Sequence, residues 1–223
     1  MTWNIPNTLT VLRLIAAPGL AVAFLYFTRP LADLFALVLF LLAAVTDWID
    51  GFLARLWNQQ SRFGAMLDPI ADKAMVVIAL MVITGFQGMN PWILLPATVI
   101  MFREVFISGL REFLGAQAGT LAVTNLAKWK TTAQMVAIAT LFSTGVFEHY
   151  LGMHSFGMDN DMIQAVLRGE VEDVLGLRWK YHGMNYSWNL GVALLWLAAA
   201  LTLATGWDYF RKAMPFLSDR SEH

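Results

Sequence analysis

Residues 74–102 read AMVVIALMVITGFQGMNPWILLPATVIMF, a run of 29 residues without one charged side chain. A helix needs about 20 mostly apolar residues to cross the hydrocarbon of a bilayer, so this run is long enough for one span and part of a second. Gly85, Gly88, Asn90 and Pro91 interrupt it, and this cluster is typical of a turn. The run therefore predicts two membrane helices joined by a short turn.

The rest of the chain repeats this apolar character. Apolar residues make up 58% of the sequence even without glycine, against about 45–50% in soluble domains, and charged residues are 14% against about 25%. A second uncharged run covers 183–207. We predict an all-α polytopic membrane protein of one domain, residues 1–223, with six transmembrane helices. The predicted spans are 8–28, 31–56, 65–87, 91–113, 122–147 and 186–210.

The basic residues predict the orientation of these spans. With a cytoplasmic N-terminus, eleven Lys and Arg lie on the cytoplasmic side and four on the other, which favours cytoplasmic N- and C-termini. Residues 148–185 then form a non-cytoplasmic loop insertion, either as a solvated cap or with 161–175 as an amphipathic interfacial helix. The net charge of −1 argues against nucleic acid as a partner, and the lack of cysteine excludes disulfides and thiolate chemistry.

Four aspartates, Asp47, Asp50, Asp68 and Asp72, lie near the ends of two predicted helices within the stretch 47–73, DWIDGFLARLWNQQSRFGAMLDPIADK. The first two are three positions apart and the last two are four apart, so each pair shares one helix face. The short loop between the helices predicts antiparallel neighbours. All four carboxylates are then expected to converge at the same end of the bundle.

Such a cluster needs compensating charge. A carboxylate deep in a membrane costs about 2.5–3.5 kcal/mol, which Arg55, Arg62 and Lys73 could offset in part. Divalent cations would do so more fully, because oxygen-only clusters suit Mg²⁺, Mn²⁺ or Ca²⁺ and four carboxylates can hold two ions. The alternative is a salt-bridged helix end that anchors the protein at the interface.

Small residues beside the aspartates suggest a ligand. Gly51 and Ala54 expose helix backbone against which a flat ring could lie, and the Arg55 guanidinium can bridge phosphate oxygens. Together with metals, this chemistry suits a nucleotide diphosphate. Close helix packing is the alternative use of the small residues.

The spacing D-x2-D-G-x2-A-R-x8-G-x3-D-x3-D resembles the signature of the CDP-alcohol phosphotransferase family. The eight matching residues are Asp47, Asp50, Gly51, Ala54, Arg55, Gly64, Asp68 and Asp72. The resemblance implies a six-helix membrane fold, a homodimer and a site for two ions, Mg²⁺ or Mn²⁺. It also implies transfer of a phosphatidyl group from a CDP-linked lipid to an alcohol, with release of CMP.

The resemblance also implies roles for these residues. The four aspartates would be metal ligands, and Asp72 would in addition be the catalytic general base. Gly51, Ala54 and Gly64 would border the cytidine of the CDP-lipid, and Arg55 would bind its diphosphate.

Three further segments narrow the comparison within the family. NIPNTLTVLR (4–13), FREVFISGLREF (102–113) and LAKWKTTAQMV (126–136) are similar to bacterial members that use CDP-diacylglycerol and glycerol 3-phosphate. This likeness implies a place in phospholipid biosynthesis at the bacterial inner membrane. Other acceptors, namely serine, inositol phosphate or phosphatidylglycerol, stay open within the family. Outside it, a divalent-cation carrier or a non-catalytic scaffold that binds nucleotide-lipid stays open.

A phosphorylated acceptor needs cations near the metals, because glycerol 3-phosphate is a dianion. Arg103 and Arg111, about two helical turns apart, and the pair Lys128 and Lys130 are the acceptor-binding candidates. Their alternative role is to obey the positive-inside rule or to contact anionic headgroups. Three residues of the first helix have no assigned role, although they could reach the lipid phosphate: Asn7, Thr10 and Arg13.

Overall fold

The computed structural model describes residues 5–56, 62–120 and 125–217. Within these ranges the protein has seven α-helices, one short 3-10 helix and no strand. The helices are α1 (Ile5–Tyr26), α2 (Leu31–Leu56), α3 (Arg62–Phe86), α4 (Pro91–Leu114), α5 (Asn125–His154), α6 (Asn160–Arg168) and α7 (Leu177–Leu217), with the 3-10 helix at Gly115–Thr120. The predicted all-α class is confirmed.

Three of these helices differ from the rest in being both long and apolar. Among the described residues, Asn7–Tyr26, Pro91–Leu114 and Leu177–Leu217 are long and apolar enough to cross a membrane, and Leu31–Thr46 is a shorter apolar helix. These helices are those of a membrane protein, while the count of six spans stays a prediction. The predicted span 186–210 lies inside a longer helix, because α7 has 41 residues.

The turn between α3 and α4 forms where the sequence predicts it. Gly88 and Met89 both adopt positive φ angles, 60° and 59°, which reverse the chain. The Asn90 side chain then accepts a hydrogen bond from the Trp92 backbone N–H at 3.0 Å and caps α4. Pro91 follows at the first helical position, where its missing N–H is not needed.

Small residues let the helices pack closely. Ala17, Ala36, Ala79, Ala137 and Ala198 are fully or almost fully buried in one apolar core. The largest helix contact is that of α5 with α7, and α4 also packs on α7.

The neighbour of α3 differs from the prediction. Within the described residues α3 packs mainly on α1, and α1 packs on α2, so the expected direct pairing of α2 and α3 is not a principal contact. The apolar face of α1 explains this, since Ala17 and Leu20 are completely buried and α1 can serve as the shared neighbour.

Residues 148–185, predicted as a loop insertion, are largely helical in the structure. The helix α5 continues to His154, α7 begins at Leu177, and α6 lies between them. The predicted amphipathic helix at 161–175 is wrong in its second half, because α6 ends at Arg168. Gly169 ends it by adopting a left-handed φ of 83°, which glycine reaches without a steric cost. Val171 and Val174 beyond it are exposed.

Candidate active site

Two of the four predicted aspartates lie on one face of α3, turned towards α1. The Thr10 hydroxyl donates to Asp68 Oδ1 at 2.6 Å, and the Arg13 guanidinium donates to Asp72 Oδ1 at 2.7 Å. The sequence offsets of the two contacts are nearly equal, so α1 and α3 run in the same direction. We call the end of the bundle that holds Asp68 and Asp72 the aspartate end.

The α1 residues that hold these carboxylates form a polar stripe. Asn7, Thr10 and Arg13 recur every three positions, and all three are buried. A buried arginine is stable only with a charged partner, which Asp72 supplies. The sequence alone predicts no definite role for them. In the structure Thr10 and Arg13 hold the carboxylates of Asp68 and Asp72 in place. The signal was present, since polar residues at helical spacing in an apolar helix indicate a functional face.

The described carboxylates suit a divalent cation. Asp72 keeps 51% of its side chain exposed although Arg13 is bound to it, so solvent and ions can reach it. Asp68 lies one turn away and is half-buried. Carboxylate oxygens are the ligands that Mg²⁺ and Mn²⁺ prefer. Within the described residues no three metal-ligating side chains come together, so a complete centre would need the aspartates of α2.

The α2 half of the motif is placed only as backbone. All five of its residues lie on the last three turns of α2, which ends at Leu56, close in sequence to the start of α3. Their side chains lie outside the described part of the structure, so the four-carboxylate cluster and the cytidine shelf stay predictions. These residues are Asp47, Asp50, Gly51, Ala54 and Arg55. Gly64 is buried on α3, one turn before Asp68.

The predicted acceptor cations gather around a carboxylate. Glu104 Oε1 accepts from Lys130 Nζ at 2.5 Å and from Arg103 Nη1 at 3.3 Å, and all three side chains are largely buried. The structure therefore brings Arg103 of α4 and Lys130 of α5 together. The side chain of Lys128 lies outside the described residues.

Arg103 and Arg111 share the face of α4 that packs on α7, as their spacing predicts. Arg103 Nη2 donates to Thr205 Oγ1 at 3.4 Å, and the Arg111 guanidinium lies 5.1 Å from the centre of the Tyr209 ring. Gly206 makes room for this arrangement, because a Cβ there would lie 3.1 Å from Arg103 Cγ. These α7 residues carry no sequence motif and could not be assigned from the sequence.

A chain of two hydrogen bonds runs from Lys73, beside the aspartates, to the backbone of Glu104 in the cation cluster. Lys73, the residue after Asp72, donates to Ser108 Oγ of α4, and Ser108 donates to the Glu104 carbonyl at 2.6 Å. The carboxylate face of α3 and the cation cluster of α4 and α5 are thus neighbours at the aspartate end. This geometry places carboxylate oxygens, the ligand type that Mg²⁺ and Mn²⁺ prefer, near donors that suit a phosphate.

A second charged cluster lies at the other end of α1. The Arg29 guanidinium donates to both oxygens of Asp33, at 2.6 and 2.8 Å, and lies 3.7 Å from Glu148 of α5. The hydrogen bond to Asp33 raises the pKa of Arg29 despite partial burial. We call the end with Arg29, Asp33 and Glu148 the opposite end.

Comparison with known proteins agrees with this geometry. The model of the CDP-alcohol phosphatidyltransferase family matches residues 3–167, which include every residue of the aspartate motif. The chain belongs to the CDP-alcohol phosphatidyltransferase family. The family resemblance of the motif is thereby confirmed.

Several relatives within the family carry one printed name, CDP-diacylglycerol–glycerol-3-phosphate 3-phosphatidyltransferase. The protein of that name from Cereibacter sphaeroides is 65% identical over 98% of this chain and 99% of its own length. The one from Salmonella choleraesuis is 44% identical over 70% of this chain and 86% of its own. The one from Haemophilus influenzae is 36% identical over 98% of both.

Proposed function

We propose that this protein transfers the phosphatidyl group of CDP-diacylglycerol to glycerol 3-phosphate, giving phosphatidylglycerophosphate and CMP. The observation that carries the proposal is the position of the α3 carboxylates beside a largely buried cation cluster, because Lys73, next to Asp72, is linked through Ser108 to the backbone of Glu104. The near full-length relative from Cereibacter sphaeroides, whose name states this reaction, supports it.

The transfer is a substitution at phosphorus. A hydroxyl oxygen of glycerol 3-phosphate forms a bond to the lipid-side phosphorus, and the bond from that phosphorus to the bridging oxygen breaks and releases CMP. The hydroxyl proton passes to the Asp72 carboxylate, whose exposed position lets an acceptor approach it. Arg13 holds Asp72 in place from the buried side.

Two divalent ions, Mg²⁺ or Mn²⁺, are proposed to be held by Asp68 and Asp72 together with Asp47 and Asp50. When bound, they would offset the negative charge of the diphosphate. The roles of Gly51, Ala54 and Gly64 at the cytidine and of Arg55 at the diphosphate belong to the same proposal.

The acceptor is proposed to bind through Arg103, Arg111, Lys128 and Lys130. Arg103 and Lys130 share a single carboxylate, that of Glu104, so the cluster keeps excess positive charge for a phosphate dianion. Serine disagrees with this charge, because its ammonium would be repelled. Inositol phosphate and phosphatidylglycerol are anionic alternatives that the experiment below separates.

We further propose that the protein is a homodimer of the bacterial inner membrane with both termini in the cytoplasm. The distribution of Lys and Arg supports the orientation, because it places the aspartate end at the cytoplasmic surface, where soluble acceptor is available.

The test uses purified protein in mixed micelles with CDP-diacylglycerol and Mg²⁺ or Mn²⁺. Glycerol 3-phosphate, inositol phosphate, phosphatidylglycerol and serine are supplied separately, and CMP and the lipid product are measured. We expect CMP with glycerol 3-phosphate alone and its loss on chelation of the metal. CMP with another acceptor only would overturn the assignment of the substrate. Folded protein that binds CDP-diacylglycerol but releases no CMP would favour the scaffold.

A further inference from the structure

Glu104 is a buried carboxylate at the centre of the cation cluster, where the proposed reaction gives it no role. Its Oε1 accepts from both Lys130 Nζ and Arg103 Nη1. A negative charge beside an anion-binding site opposes the ligand, so its presence needs an explanation other than attraction of the acceptor.

The position of Glu104 supplies that explanation. Its side chain ties α4 to Lys130 of α5, while its partner Arg103 continues to Thr205 of α7. Its backbone carbonyl accepts from Ser108, which in turn accepts from Lys73 of α3. Glu104 therefore bonds directly to α5, and its α4 neighbours Arg103 and Ser108 bond to α7 and α3.

The charges around Glu104 also match the proposed ligand. Lys130, Arg103 and Lys73 all lie within electrostatic reach of its carboxylate. Three cations around one carboxylate leave an excess of positive charge, which suits a phosphate anion. An ammonium has three donors and a guanidinium five, so one bond each to Glu104 leaves donors for phosphate oxygens.

Without Glu104 the largely buried cations would lack a counter-charge in the free protein. Buried charges without partners are costly, and such side chains turn towards water or lose their proton. Either change would remove donors from the place where the acceptor phosphate is expected.

We infer that Glu104 is a positioning residue for the acceptor, which fixes Lys130 and Arg103 in the orientation that binds the phosphate of glycerol 3-phosphate. The inference rests on the proposed function. Glu104 acts through the two cations and does not touch the reacting atoms.

The test is the change Glu104→Gln, which keeps the shape of the side chain and removes its charge. We expect the KM for glycerol 3-phosphate to rise about tenfold while the KM for CDP-diacylglycerol stays within about twofold. A change that only weakened the fold would lower the active fraction and leave both KM values as they were. An unchanged or lower acceptor KM would overturn the inference.

The matched control is Glu112→Gln, the same charge change at an exposed position two turns further along α4. We expect both KM values to stay at the wild-type level there. Glu104→Asp keeps the charge and moves it by one methylene group, so it should recover part of the acceptor affinity. If Glu104→Gln does not fold, Glu104→Asp carries the test, with an acceptor KM raised severalfold expected and a wild-type KM contradicting the inference.

A double variant tests whether Glu104 acts through Lys130. If it does, Glu104→Gln with Lys130→Gln should raise the acceptor KM little more than Lys130→Gln alone. If the effects of the two changes on the acceptor KM are fully additive, Glu104 does not act through Lys130.

Calorimetric binding of glycerol 3-phosphate without CDP-diacylglycerol separates the inference from the proposed function. Binding that weakens in Glu104→Gln, in a protein that releases no CMP, would support the positioning role and reject the transferase. Turnover by the wild type with equal binding by both proteins would reject the positioning role and keep the transferase.

Discussion

Two arginine–aspartate pairs lie at the two ends of this bundle, and they are buried in opposite ways. At the aspartate end Arg13 is 2% exposed and Asp72 is 51% exposed. At the opposite end Asp33 is 3% exposed and Arg29 is 31% exposed. One pair therefore presents its carboxylate to solvent, while the other encloses it.

The difference separates a carboxylate that can react from one that holds the fold together. Both oxygens of Asp33 are bound by Arg29, and Gly145 of α5 packs against them. The Asp72 Oδ1 instead accepts from a buried arginine, and half of the Asp72 side chain is exposed. The same two side-chain types thus stabilise the bundle at one end and prepare a candidate base at the other.

The largest expected effect is that of removing the charge of each of the two carboxylates, Asp72 and Asp33. Asp72→Asn should lower kcat for CMP release by about 10²–10⁴-fold, the usual contribution of a general base, with CDP-diacylglycerol binding retained. Asp33→Asn should instead keep the kcat of the folded protein and cost about 1.5–3 kcal/mol of stability, because its hydrogen bonds involve charged groups. Kinetics and thermal unfolding of both variants check this. Metal-dependent turnover of Asp72→Asn near the wild-type rate would remove Asp72 as the base.

A smaller effect on stability is expected at Gly145, which packs against Asp33 at the opposite end. A Cβ at Gly145 would lie 2.1 Å from Asp33 Oδ1, whereas one at Gly152, two turns along the same helix, would meet nothing within 4 Å. Gly145→Ala should therefore destabilise the protein by about 1–3 kcal/mol, as overpacking does. Gly152→Ala should leave stability unchanged or raise it by up to about 1 kcal/mol, the helix preference of alanine over glycine. Thermal unfolding measures both, and equal melting temperatures would contradict the enclosed pair.

The smallest effect concerns Asp173, a carboxylate near the start of α7 with 12% of its side chain exposed. Desolvation opposes ionisation of Asp173, but hydrogen bonds from the backbone N–H groups of Arg178 and Leu177, at 2.9 and 2.6 Å, hold its pKa below the usual value. A lowered folded-state pKa gives stability that is present above the unfolded-state value, about 3.9, and is lost as the pH falls through the folded-state value.

Hydrogen exchange at the Leu177 and Arg178 amides should therefore speed up, relative to its intrinsic rate, as the pH falls below about 4. Asp173→Asn should remove most of that pH dependence. The neighbouring change Glu172→Gln, at an exposed position, should preserve it. If the exchange protection of the two amides is the same in the wild type and both variants across this pH range, Asp173 does not cap the start of α7.

The sequence predicts features that are local and fails where partners are distant. The turn before Pro91 follows from Gly88 and Asn90 alone. The spacing of the aspartates predicts a shared face for Asp68 and Asp72. The polar face of α1 is a local signal, but the partner of Arg13 could not be predicted, because Asp72 lies 59 positions away and only the packing of α1 on α3 brings them together.

The same limit applies at the cation cluster. Spacing along α4 predicts that Arg103 and Arg111 share a face, but not that this face meets Thr205 and Tyr209 of α7. The early end of α6 is a different failure. Gly169 is a local helix stop, and it ends α6 although the apolar periodicity of Val171 and Val174 continues beyond it.

The length of α7 has a mechanical consequence. With 41 residues it rises about 60 Å, roughly twice the hydrocarbon thickness of a bilayer. It begins beside the Asp173 cap and reaches Tyr209 under Arg111 without interruption. One continuous helix therefore runs from the segment that follows α6 to the Tyr209 ring beside Arg111. In a bilayer of different thickness α7 would change its tilt as one rigid helix. The Asp173 cap and Tyr209 would then move together, so bilayer thickness is expected to affect the position of Arg111.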